Sequence, residues 1–132
     1  MTDHTPHSLR TPLGRVRHLG SAHNGTRAFW HQRLTSVANV PLTIAVIVII
    51  MGLLGRNHAA VVQILGSSFV AITMLLFIAI SIYHMWIGMQ VIIEDYVHDD
   101  VWKIVSLMAN TFFSIAVGFT AVFAILKLSF GL

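Results

Sequence analysis

Three side chains able to do redox or proton chemistry share one short stretch: His84, Asp95 and Tyr96 in Tyr83-His84-Met85-Trp86-Ile87-Gly88-Met89-Gln90-Val91-Ile92-Ile93-Glu94-Asp95-Tyr96. Arg33 stands apart, upstream of the first apolar run. His84 is the only histidine deep inside an apolar segment. If the stretch is helical, Asp95 follows His84 by eleven residues. Eleven steps of about 100° return it to within about 20° of the same face, and at ~1.5 Å per residue it lies about 16 Å further along the axis. One helix face then carries an imidazole in the middle of an apolar run, with a carboxylate and a phenol at its edge. An ionisable residue at such depth is a functional-site hypothesis by default.

Each of these residues has a chemical and a plain reading. Taking Ile93 as the hydrocarbon boundary, His84 lies about 14 Å deep, near the middle of a ~30 Å core. A neutral imidazole there is a strong iron ligand, and haem can be held by axial histidines without a covalent link. Gly88, one turn on, leaves room for a flat ring or another helix. The plain reading is a histidine hydrogen-bonded to a neighbouring helix. A bis-histidine haem would need its second ligand from another chain. The Tyr96 phenol can donate a hydrogen bond to a quinone carbonyl, and Asp95 can take part in proton delivery. The plain reading is an interfacial tyrosine beside an acidic loop containing Asp95, Asp99 and Asp100. Arg33, with His31, suits haem propionates or serves as a topology determinant. Met74, Met85 and Met89 read as packing residues, and Asn39, Ser81 and Ser114 as interhelical hydrogen-bonders.

The elements that must position these groups are membrane helices. The chain has 132 residues, 56% hydrophobic and 10% charged, against about 25% charged in a soluble domain. Three apolar runs, near 37–55, 69–93 and 101–128, each approach or exceed the ~20 residues needed to cross a bilayer as a helix. Three helices have little core of their own, so partner helices are expected. There is no cysteine, which excludes disulfides, cysteine-ligated iron–sulfur clusters and c-type haem attachment through this chain. The net charge of +3 reads as a topology signal and not as nucleic-acid binding. Arg10, Arg15, Arg17, Arg27, Arg33 and Lys103 fall on one side, and Arg56 and Lys127 on the other, which predicts N-in, C-out.

Residues 1–28 read as a cytoplasmic arm, and 29–132 as the anchor domain with helices at about 29–55, 66–94 and 101–128. No secretory signal is evident, because the first apolar run starts late. The arm's arginines and scarcity of acids leave a mitochondrial transit peptide open. The Asn24-Gly25-Thr26 sequon would be without meaning on a cytoplasmic arm. Phe29, Trp30 and Trp102 suit the interfacial aromatic belt. Pro41 should kink the first helix or mark its first turns. Gly55-Arg56-Asn57 is a helix stop, and Ala59 to Leu65 is an interfacial turn or an early start of the second span.

The pattern His84-x-Trp86-x-Gly88-Met89 with Asp95-Tyr96 resembles the second helix of the small membrane anchor subunit of succinate dehydrogenase, respiratory complex II. Leu19-Gly20-Ser21-Ala22-His23-Asn24-Gly25-Thr26 and Phe29-Trp30-x-x-Arg33-Leu34-Thr35 resemble its alphaproteobacterial and mitochondria-like forms. Nearly the whole chain is covered. Gln90 departs from the pattern, where an aromatic often follows Gly-Met. The resemblance implies that His84 is the axial ligand of haem b, the second histidine coming from the larger cytochrome b anchor subunit. It implies that Tyr96 hydrogen-bonds ubiquinone, with Asp95 a weaker member of that site, and that Arg33 lies near the haem propionates. The implied partners are the larger anchor, the iron–sulfur subunit, the flavoprotein subunit and membrane lipid, with a retained arm packed on the soluble subunits. The expected protein is therefore an all-α integral membrane subunit with three spans in a hetero-oligomeric bundle, in a bacterial plasma membrane in preference to a mitochondrial one. It is not an enzyme alone. The rivals are a quinol:fumarate reductase anchor and a structural anchor without cofactor; a transporter is disfavoured, for want of repeated broken helices.

Overall fold

The computed structural model describes residue 11 and residues 24–130. The arm, including its Leu19 to His23 motif, otherwise lies outside the described residues. Four helices follow in order: α1 Asn24–Leu53, α2 His58–Leu65, α3 Ser68–Tyr96 and α4 Asp100–Phe130. Three of them, α1, α3 and α4, are long and apolar enough to cross a membrane. At 29 to 31 residues each is about 45 Å long, so it outreaches a ~30 Å core and carries its ends into the headgroup regions.

The boundaries follow local chemistry. α1 begins five residues before the expected position 29 and takes in Asn24-Gly25-Thr26 and Arg27. Pro41 sits inside it. It stops at Leu53, and Gly55 turns the chain with φ of +72°, a conformation that costs glycine little. The apolar stretch 59–65 belongs to neither span; it is the separate short helix α2, started by Asn57, whose Oδ1 accepts the Ala60 N–H at 2.9 Å. α2 ends at Gly66. A Cβ there would lie 3.0 Å from the Val62 carbonyl oxygen and 3.2 Å from that of Leu128 on α4, so the turn between α2 and α3 and the end of α4 pack backbone to backbone. Asp99 caps α4, its Oδ1 accepting the N–H groups of Val101 and Trp102, both at 3.0 Å. Part of the acidic loop is therefore a helix cap.

α3 is the central element. It packs along both α1 and α4, while those two make no extended contact with each other. Trp86 Nε1 donates to Thr111 Oγ1 at 3.2 Å, and Asn110 Nδ2 donates to the Trp86 carbonyl at 3.0 Å. Gly118 lets Ile82 close against α4. Buried apolar residues are few: Val46, Ala71, Ile87, Ile93 and Ile125. Phe and Leu side chains all along the three spans remain outward, as a bundle facing lipid or further helices requires.

Candidate functional site

The site grows from a polar stripe on α1. Gln32, Thr35 and Asn39 are spaced i, i+3, i+7 and share one helix face. That face meets α3 at His84 and Ser81. Ser81 Oγ donates to Asn39 Oδ1 at 3.1 Å, the interhelical bond expected of this pair. Ser114, expected to do the same, is buried with its hydroxyl unpaired among the described residues.

His84 is half-buried sixteen residues after the start of α3 and twelve before its end, so it lies about 18 Å from the Tyr96 terminus. Both ring nitrogens face α1. Nδ1 is 2.9 Å from Thr35 Oγ1, and Nε2 is 3.5 Å from Gln32 Nε2. Thr35 is buried, and its hydroxyl also lies 2.8 Å from the His31 carbonyl and 3.1 Å from that of Gln32. Its one hydrogen goes to the backbone, as is usual for a threonine inside a helix. A lone pair is left for His84 Nδ1–H. The Gln32 contact to Nε2 is at the outer limit of a hydrogen bond. The other end of that amide, Oε1, is buried without a partner. Gly88 makes room for it: a Cβ there would stand 3.2 Å from Gln32 Nε2.

Around this seam runs an aromatic strip. The Tyr83 hydroxyl and His31 Nδ1 share a 2.6 Å hydrogen bond, their rings meeting edge to face at 5.8 Å. Tyr83 stacks on Trp86 at 5.9 Å. Beyond it, between α3 and α4, an apolar groove of about 440 Å³ is lined by Ile78, Ile82, Trp86, Ser114 and Phe119 among others. His84 is not in it.

The other expected residues are placed differently. Arg33 is exposed, two residues from Thr35 and hence nearly opposite it around α1 (about 200°). Its guanidinium lies 5.0 Å above the Phe29 ring. It stands level with His84 along the helices but off the seam, so His84 packs opposite the start of the first apolar run and not opposite its middle. Tyr96 ends α3, 77% exposed; its carbonyl lies 3.0 Å from His98 Nδ1, and its phenol has no hydrogen-bond partner among the described residues. Asp95 is exposed beside it. His84 and the Asp95–Tyr96 pair are thus two centres on one helix. Thr35, Gln32 and Tyr83 were not among the expected site residues. The polar stripe on α1 was the available signal for the first two.

Residues 7–125 match the model of the family described as succinate dehydrogenase/fumarate reductase transmembrane subunit. The chain is 27% identical over 121 residues to the succinate dehydrogenase hydrophobic membrane anchor subunit of Paracoccus denitrificans, covering 92% of this chain and 93% of that one. No solved structure matches it significantly. With nearly its whole length matched and three membrane-length helices in place, the chain belongs to the succinate dehydrogenase/fumarate reductase transmembrane subunit family, as a membrane anchor subunit.

Proposed function

We propose that this chain anchors a succinate:ubiquinone oxidoreductase in the bacterial plasma membrane, N-terminus inside, holding haem b through His84 and contributing Tyr96 to the site where ubiquinone is reduced. The observation that carries the reading is the setting of His84, at mid-helix with Nδ1 tied to a buried threonine and Nε2 covered only by a 3.5 Å contact. That donor set fits a haem iron. Metal-binding histidines commonly donate their second ring N–H to a fixed acceptor, and the orphaned Gln32 amide is held too weakly to keep Nε2. A second histidine to hold the group would come from the larger anchor subunit, as the resemblance implies.

When bound, the haem supplies a one-electron redox centre within the membrane. The residues of this chain do the rest. His84 would ligate the iron, and the bare Gly88 position gives the Gln32 side chain room beside it. Arg33, at the same depth, is the cation whose long side chain serves the propionates. At the inner end the Tyr96 phenol, without a hydrogen-bond partner among the described residues, donates to a quinone carbonyl. Asp95 beside it passes protons from the aqueous side. Electrons arrive from the iron–sulfur subunit, fed in turn by the flavoprotein.

The test is a reduced-minus-oxidised absorption spectrum of the complex copurified with this chain, wild type beside His84→Ala. A b-type signal lost in the variant, with the soluble subunits still attached, is the expected result. No haem in an assembled wild-type complex would leave a structural anchor in which His84 only ties α3 to α1. The family description also covers fumarate reductases. Succinate-driven quinone reduction faster than quinol-driven fumarate reduction is expected, in line with the name of the Paracoccus relative.

A further inference from the structure

Threonine inside a transmembrane helix ordinarily satisfies itself on its own backbone, and Thr73, Thr111 and Thr120 all do so. Thr35 does this and, as Thr111 does for Trp86, also serves a partner on another helix: it is buried, and its hydroxyl reaches across to His84 Nδ1 at 2.9 Å. We infer that Thr35 is the positioning residue for His84, fixing the imidazole with its proton on Nδ1 so that the Nε2 lone pair is the one offered to the iron. The inference rests on the haem reading of His84 given above.

Three features support it. The Thr35 hydrogen has two backbone carbonyls to go to, at 2.8 and 3.1 Å, so the oxygen is left to accept. Gln32 makes only a 3.5 Å contact to Nε2, so nothing in this chain holds that nitrogen strongly. Thr35 is β-branched, so its χ1 is confined to few rotamers, and the two backbone bonds select the one that faces α3. The ring is thereby held in both tautomer and orientation. Gln32, by contrast, holds one long contact and leaves Oε1 unsatisfied. It is the group that yields when Nε2 takes a ligand. A hydrogen bond from Nδ1–H makes the imidazole a stronger donor to iron and favours the ferric state. Loss of such a partner typically weakens metal binding 10–100-fold.

The experiment compares the intact complex carrying Thr35→Val, Thr35→Ser, Gln32→Ala and His84→Ala with wild type. Haem content per complex, the haem midpoint potential and the low-temperature electron paramagnetic resonance of the ferric haem are read. Thr35→Val keeps the shape and removes the acceptor. It should bind haem at least about tenfold more weakly and raise the potential, by about 59 mV for each tenfold loss of ferric over ferrous binding. Thr35→Ser should restore content, potential and resonance. Gln32→Ala should load as wild type. If Thr35→Val does not assemble, Thr35→Ala carries the same expectation. If neither assembles, Thr35→Ser alone decides, because a potential displaced there would mean that the methyl and not the hydroxyl matters. Wild-type potential and resonance in Thr35→Val would overturn the assignment, as would a haem loss in Gln32→Ala as large as in Thr35→Val. Haem retained in His84→Ala would instead sink the ligand reading itself.

Discussion

His84 illustrates how a residue's type and its surroundings divide the explanation. An imidazole at mid-span signals chemistry because burying it unpartnered is costly, and that much is legible along the chain. Its partner is not. Thr35 reads as one more helix threonine until the antiparallel register of α1 and α3 brings its oxygen to Nδ1. The phenol at the end of the same helix is the simpler case. Tyr96→Phe removes one hydrogen-bond donor from an exposed terminus, so quinone reduction should fall by roughly two- to tenfold, taking about 0.5–1.5 kcal/mol for the bond. Succinate oxidation with an artificial acceptor should stay near wild type. Equal loss of both activities would make Tyr96 an assembly residue. In Gly88→Ala the new Cβ would crowd Gln32 Nε2, 3.2 Å away. A flexible amide can give way, so haem content should hardly change when measured per assembled complex.

At the scale of elements, helix ends carry the information that apolar runs lack. Asp99 looks like one charge among several in an acidic loop, yet it accepts two backbone N–H groups and starts α4. Asp99→Ala should cost about 1 kcal/mol, read as a lower unfolding temperature of the purified complex with haem unchanged. Asp100→Ala, which leaves that cap intact, should cost less. The turn between α2 and α3 is under tighter constraint. Gly66→Ala places a methyl carbon 3.0 and 3.2 Å from two carbonyl oxygens. Backbone cannot swing aside as a side chain does, so a loss of about 1–3 kcal/mol is expected. Gly52→Ala, where the same carbon meets open space, should be neutral or better by up to about 1 kcal/mol. A Gly66→Ala complex as stable as Gly52→Ala would show that α2 does not pack on α4 in the membrane.

At the scale of the whole molecule the three long helices form an open sheet of helices more than a closed bundle, with α3 covered on two sides and α1 and α4 outward. The proposed N-in orientation rests on the arginines before α1 and in its first turns, and the absence of cysteine makes it directly testable. A single cysteine at His98→Cys should react with an impermeant maleimide only after cells are opened, and one at Arg56→Cys should react in intact spheroplasts. The reverse pattern would invert the topology and move Tyr96 to the outer face. Length and hydropathy were enough to establish three spans and a membrane setting, because each is a property of consecutive residues along one helix axis; the roles of His84 and Tyr96 came from a resemblance. What only the tertiary structure decided is who meets whom: His84 with Thr35 and Gln32, Tyr83 with His31, and Arg33 turned from the seam. Those contacts depend on the relative rotation and register of helices that are apolar nearly all round, so periodicity along any one of them carries little information about which face its neighbour will take.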